Sequence, residues 1–158
     1  MPKPRTGSDQ PKIFLSHSSK DRAFVLRLVE VFKQNQISFW YSETDIQGAR
    51  QWHDEIGRAL AKCNWFLLVV TPNAIRSPWV KRELLFALEQ KRYNERIIPL
   101  LHKHCKYTRL SWTLSGFQIV DFTLNFEAAC QKLLRIWGSG DRSHAVITRR
   151  RKQNKPRN

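Results

Sequence analysis

Apolar residues fall along this chain in short runs that alternate with amphipathic stretches. Lys12 to Ser16 is one such run, and it ends in a polar loop, His17-Ser18-Ser19-Lys20. From Asp21 to about Gln34 the spacing becomes helical, with Ala23, Phe24, Leu26, Leu28, Val31 and Phe32 on a broad apolar face; Ile37 to Trp40 then reads as a second strand. A polar loop over residues 41–50 precedes a helix over 51–62, and Trp65 to Val70 is an unbroken apolar run suited to a central strand covered on both faces. Thr71-Pro72-Asn73 turns into a helix that opens at Ser77 and Pro78, where serine can cap an orphan amide and proline is preset for the first turn. Ile97 to Leu101 gives a fourth strand, Phe117 to Phe122 a fifth, and Phe126 to Trp137 a closing helix. Strands separated by helices imply an α/β fold with a parallel sheet and helices on both faces, because parallel neighbours need crossover connections and those are right-handed.

In such folds ligands bind at the carboxyl ends of the strands. The loops at that edge, 17–20, 41–50, 71–77 and 102–116, gather Ser16, His17, Glu43, Gly48 and the start of the Ser77 helix on one rim. Helical phase singles out one residue there. At roughly 100° per residue Trp79, Val80, Leu84, Ala87 and Leu88 share an arc, Glu83 lies between Trp79 and Val80, and Lys81, Arg82 and Glu89 fall outside. A carboxylate in an apolar arc is partly desolvated, so it either finds a partner or acts in catalysis. The plainer reading is a glutamate at the stripe's edge that reaches solvent or pairs with an arginine.

Composition narrows the classes. At 158 residues, with 41% apolar positions and six Trp, the chain suits one domain with one core. No apolar run approaches the ~20 residues of a membrane span, and Met1 to Gln10 lacks the apolar stretch of a signal peptide, so no membrane association and a cytoplasmic location are expected. Cys63, Cys105 and Cys130 are odd in number and widely spaced, which fits reduced thiols, with Cys63 and Cys130 as small core residues. The net charge of +15 drops to +7 once the +6 of residues 138–158 and the +2 of residues 1–12 are set aside. Residues 138–158 therefore read as a basic disordered tail and 1–11 as a flexible N-terminal segment. The remaining surplus attracts anions, nucleotides and nucleic acid among them.

Familiar catalytic signatures are missing: there is no Gly-x-Gly-x-x-Gly, no Gly-Lys-Ser phosphate loop, no Gly-x-Ser-x-Gly elbow and no His-Glu-x-x-His. His102-Lys103-His104-Cys105 holds metal-binding side chains without the paired spacing of a tetrahedral site, so no metal is expected. His53, beside Asp54 and Glu55, reads as a solvated surface histidine rather than a base. The loop from Ser16 to Asp21 joins a strand end to a helix N-terminus, which suits a phosphate, although serine and aspartate also cap helices routinely. Trp40 and Tyr41 either stack on a ligand ring or close the core.

Taken together, these segments resemble a Toll/interleukin-1 receptor (TIR) domain of the bacterial type, from about Lys12 to Trp137. The resemblance rests on Ile13-Phe14-Leu15-Ser16-His17-Ser18-Ser19-Lys20-Asp21, on the Trp40 to Gly48 connector, which is similar to the family's BB loop, and on Ser77-Pro78-Trp79-Val80-Lys81-Arg82-Glu83. Asp45-Ile46-Gln47-Gly48 through Trp52-His53-Asp54-Glu55-Ile56 also looks like TIR proteins of bacterial defence systems. It implies a TIR domain over 12–137 with the TIR fold, a flavodoxin-like three-layer sandwich around a five-stranded parallel sheet. It further implies cleavage of the nicotinamide–ribose bond of NAD, as substrate and without metal or redox cofactor, giving ADP-ribose or a cyclic ADP-ribose isomer. Glu83 of the Trp79-x-x-x-Glu83 motif would be catalytic. Ser16, His17 and the helix opening at Asp21 would line the nucleotide pocket, Trp79 would pack beside the ribose, and the 41–50 loop, with Tyr41, Glu43 and Gly48, would cover it. Some members carry an acid directly after strand two, where this chain has Tyr41; Glu43 and Asp45 are the nearest carboxylates. The family also implies self-association, which is thought to complete the active site, and a separate sensor or effector as partner, in bacterial immunity. Other TIR domains serve only as assembly scaffolds, which is the alternative reading; nucleic-acid binding by the tail is a third.

Overall fold

The central strands of this chain carry buried apolar side chains at both odd and even positions, so the sheet has two faces to cover. The computed structural model describes residues 10–41 and 49–138, with the side chains of 49–53 excepted. Among these residues the elements are β1 (Lys12–Ser16), α1 (Arg22–Gln34), β2 (Ser38–Trp40), α2 (Ala49–Lys62), β3 (Trp65–Val70), α3 (Pro72–Ile75), α4 (Pro78–Glu89), β4 (Ile97–Leu101), β5 (Val120–Asp121) and α5 (Phe126–Ile136). The five strands pair in parallel in the order β2-β1-β3-β4-β5. Ile13, Leu15, Leu67, Val69, Ile98 and Leu100 pack against α1 and α5, whereas Phe14, Phe66, Leu68, Val70 and Ile97 pack against α2, α3 and α4. The parallel sheet with helices on both faces is what the pattern predicts, and the three-layer, flavodoxin-like form is the one the TIR resemblance implies. No helix among the described residues is long and apolar enough to cross a membrane.

Three details depart from the sequence reading. In α1 the buried residues are Phe24, Val25, Leu28, Val29 and Phe32, while Ala23 and Leu26 are exposed. At 100° per residue the buried set spans less than half the helix circumference, and residues 23 and 26 lie on the opposite side. Pro72–Ile75 is a separate helical turn, capped by Thr71, whose hydroxyl accepts from the Ala74 amide at 3.1 Å. The fifth strand is only Val120–Asp121, although an apolar run begins at Phe117. Leu101 O accepts from Phe122 N, so the odd residues of β4 face β5. Pro99 is the next odd residue back and has no N–H to give, which stops the ladder before Val120.

The three cysteines are free, and Cys63 and Cys130 are buried. The carbonyls at and just after the end of α2 find partners across the fold. The Tyr93 hydroxyl donates to Leu60 O at 2.5 Å and Cys63 O at 3.3 Å, and the Arg92 guanidinium reaches the carbonyls of Leu60, Ala61 and Cys63. Tyr93 is 1% exposed, so without that hydroxyl buried carbonyls lose a donor. Tyr93→Phe is expected to lower stability by about 1–2 kcal/mol with an unchanged denaturant slope, read from urea unfolding followed by circular dichroism.

Candidate active site

Ser16 is the last residue of β1, and side chains alternate between sheet faces, so it points to the same side as Phe14, toward α4. Glu83 meets it there. Ser16 Oγ donates to Glu83 Oε2 at 2.5 Å, with Ser16 fully buried and Glu83 8% exposed. Burial pushes the Glu83 carboxyl up to about 7, against a smaller opposing effect of the Ser16 hydrogen bond, which favours the anion. The pair sits where strand order reverses between β1 and β3, the point at which open α/β sheets leave a crevice. Of the two readings of the glutamate, the solvent-facing one is thereby set aside: Glu83 is buried, and its partner is a hydroxyl rather than a cation.

A second buried carboxylate braces the same rim. Asp21 is 4% exposed, yet makes no side-chain cap to α1. Instead Thr71 Oγ1 donates to Asp21 Oδ2 at 2.5 Å and Asn73 Nδ2 to Oδ1 at 3.1 Å, tying the loop after β1 to the loop after β3. Ser18 caps the short 3-10 turn Ser19–Asp21 that leads into α1, its hydroxyl accepting from Lys20 N at 3.3 Å. Thr71 and Asn73 read in sequence only as a turn; the Thr-Pro start is a helix-cap signal, but a partner fifty residues away leaves no local trace.

The other predicted residues are distributed around this pair. His17 is half-buried, its Nδ1 lies 3.5 Å from Leu15 O, and burial lowers its pKa, so the neutral ring is favoured. Its ring is tilted against Tyr41 at 6.0 Å, and Tyr41 in turn stacks on Phe39 at 6.0 Å. Trp40 stacks on Phe14 at 5.0 Å and is half-buried, consistent with core closure. Trp79 departs from its place in the apolar arc: it is 41% exposed, with the Arg82 guanidinium over its ring at 4.9 Å. Glu83 is level with Ser16, the end of β1, so Trp79, about 6 Å nearer the helix start, stands beyond the strand that would cover it. Glu43 and Gly48 lie outside the described residues. His102 stacks on Phe24 at 3.9 Å, His104 is exposed, and no group of three His, Cys, Asp or Glu among the described residues could hold a metal ion.

Chemically, the rim offers a carboxylate that ionises near neutrality and is held by one hydroxyl. Such a group can stabilise a positive centre or take a proton. Ser16 is committed to Glu83 rather than to a histidine, so a serine–histidine nucleophile is not assembled here.

The sequence profile of the TIR domain matches residues 13–134. The chain belongs to the TIR-domain family. Over 91 residues this TIR domain is 26% identical to a protein of Methanobrevibacter olleyae named probable 2' cyclic ADP-D-ribose synthase TcpO, covering 57% of this chain and 27% of that one. Over 92 residues it is 26% identical to the NAD(+) hydrolase TcpC of Escherichia coli O6:H1, covering 56% of this chain and 30% of that one. The chain thus spans less than a third of the length of these relatives. Its fold matches the TIR domain of the Toll-related receptor TRR-2 of Hydra magnipapillata with a TM-score of 0.67 at 18% identity, covering 81% of this chain and 98% of that one. A metazoan TIR-STING receptor from C. gigas superposes with a TM-score of 0.63 at 19% identity, over 80% of this chain and 39% of that one.

The raised Glu83 carboxyl has a signed consequence. Between its ordinary value of 4.5 and about 7 the folded chain holds a proton that the unfolded chain has lost, so stability falls as pH rises through that window. The penalty reaches about 3 kcal/mol and is fully present above pH 7. Glu83→Gln abolishes it: thermal unfolding is expected to favour the variant increasingly over wild type from pH 5 to pH 8.

Proposed function

We propose that this TIR domain cleaves the bond between nicotinamide and ribose in NAD, with Glu83 as the catalytic carboxylate. The observation that carries this reading is the buried Glu83, held by Ser16 at the carboxyl rim of the sheet and four residues after Trp79. The names of the two relatives, a probable 2' cyclic ADP-D-ribose synthase and an NAD(+) hydrolase, support the same reaction class. As the glycosidic bond breaks, nicotinamide leaves with the electron pair and positive charge develops on the ribose. An ionised Glu83 stabilises that centre, as carboxylates do in glycoside cleavage. Ser16 engages Oε2, which leaves Oε1 for the ribose. Attack by water, with loss of a proton, gives ADP-ribose; attack by a hydroxyl or ring nitrogen of the same molecule gives a cyclic isomer. In this reading His17, Tyr41 and the exposed ring of Trp79 form the near walls; Glu43 and Gly48, which the family resemblance assigns to substrate binding, lie outside the described residues. No metal or redox cofactor takes part.

Self-association accompanies this activity in our reading, and bacterial immunity is its setting. Leu85 and Phe86, 56% and 42% exposed on the outer side of α4, provide apolar surface for such contacts. The same observation supports the alternative, a scaffold that assembles without turnover, and the two are separated by one assay. Concentrated wild-type protein, with and without a crowding agent, is expected to consume NAD, and Glu83→Gln to lose at least about a hundredfold in rate, read by chromatography and mass spectrometry. Full turnover by Glu83→Gln would sink the enzymatic reading. Ser16→Ala removes the hydrogen bond that favours the Glu83 anion, so the rising limb of its pH–rate profile is expected to move to higher pH.

A further inference from the structure

At the amino ends of the strands, opposite the Ser16–Glu83 rim, lies a recess of about 590 Å³. It is bounded by the start of β1, the connection from α2 to β3, and the turn from α4 to β4. Lys12, Lys62, Lys91, Arg92 and Arg96 line it together with Asn64, and no acidic side chain does. Among the described residues none of these five cations is ion-paired with a carboxylate.

Two of them stand on fixed supports. The Arg92 guanidinium is seated on the carbonyls of Leu60, Ala61 and Cys63, and the Arg96 guanidinium lies over the Trp65 ring at 5.4 Å. Asn64 clamps the mouth, with Oδ1 accepting from Lys12 N at 2.8 Å and Nδ2 donating to Gln10 O at 3.1 Å. Lys12, Lys62, Lys91 and Arg92 are exposed around the recess and Arg96 half-buried; like charges gathered on one recess repel one another, and that cost is relieved by a multiply charged anion. Guanidinium forks and ammonium groups suit phosphate oxygens. The volume is that of a small-molecule site, and a single phosphate would leave most of the five cations unanswered.

We propose that this recess binds a small-molecule oligophosphate, a chain of two or three linked phosphates, free or carried by a nucleoside. The ligand would bridge β1, the end of α2 and the turn before β4. The recess lies at the opposite end of the sheet from Glu83.

The test is calorimetric titration of the full chain with inorganic triphosphate at low and at physiological salt. Two variants carry the comparison, Lys91→Gln/Arg96→Gln in the recess and Arg149→Gln/Arg150→Gln/Arg151→Gln in the basic C-terminal segment. The recess pair is expected to weaken binding about tenfold or more, and the C-terminal triple variant, despite losing one charge more, by no more than about twofold. Orthophosphate is expected to bind far more weakly than triphosphate. Equal affinity for triphosphate and adenosine triphosphate would place recognition in the phosphate chain, and tighter adenosine triphosphate would add the nucleoside; either supports the site. Equal losses in both variants, loss in the C-terminal variant alone, or equal binding of orthophosphate would overturn it. So would a short RNA duplex that depends on Lys91 and Arg96 when triphosphate does not. If unliganded Lys91→Gln/Arg96→Gln melts below wild type, the exposed Lys62→Gln takes its place.

Discussion

A parallel sheet covered on both faces is the constraint from which the rest of this structure follows. β3 pairs on both edges and buries apolar side chains on both sides, so the helices must divide between two layers. Once they do, strand parity assigns every residue a side. Ser16 shares its face with Phe14 and therefore looks at α4, while Leu15 looks at α1. Had the register of β1 slipped by one residue, an apolar side chain would face Glu83 and Ser16 would be buried against α1 without that partner.

The carboxylate that results is a product of opposing effects. Burial disfavours its charge and raises it to about 7; one hydroxyl partly restores the anion. A cation at the same place would have produced an ordinary ion pair, ionised at every physiological pH and committed to its partner. A hydroxyl leaves the group able to change charge and to engage a ligand. The Asp21–Thr71–Asn73 network performs a different task nearby, holding two rim loops together through a carboxylate whose oxygens both accept internal hydrogen bonds. Two buried acids on one rim thus have distinct parts, set by whether their donors fill both oxygens or one.

The two ends of the sheet contrast in charge. The carboxyl rim holds the buried acids, while the amino edge gathers five cations around a recess. Both depend on connections that the fold makes short: the turn after α2, the turn before β4 and the loop after β3. Arg92 illustrates the economy of that edge, since the guanidinium that completes the end of α2 also lines the recess.

Much of this was legible in the sequence. β1, β3 and β4 carry the expected bounds because each is an unbroken apolar run closed by polar residues, and α4 begins as expected because Ser77 and Pro78 are local signals whose effect is spent within one turn. Glu83 stood out by helical phase alone. The TIR fold and the family were likewise reached from the motifs. What periodicity could not supply was anything decided across distance. Trp79 lost its expected burial because β1 ends level with Glu83, β5 shortened because Pro99 on a neighbouring strand has no amide proton, and Asp21 found Thr71 and Asn73 rather than a helix end. The sequence by itself determined the elements, their order and the residue most at odds with its surroundings, since these depend on neighbours in the chain. Only the tertiary structure decided that Ser16 would be the partner of Glu83, because a hydrogen bond across 67 residues is set by strand register and helix placement.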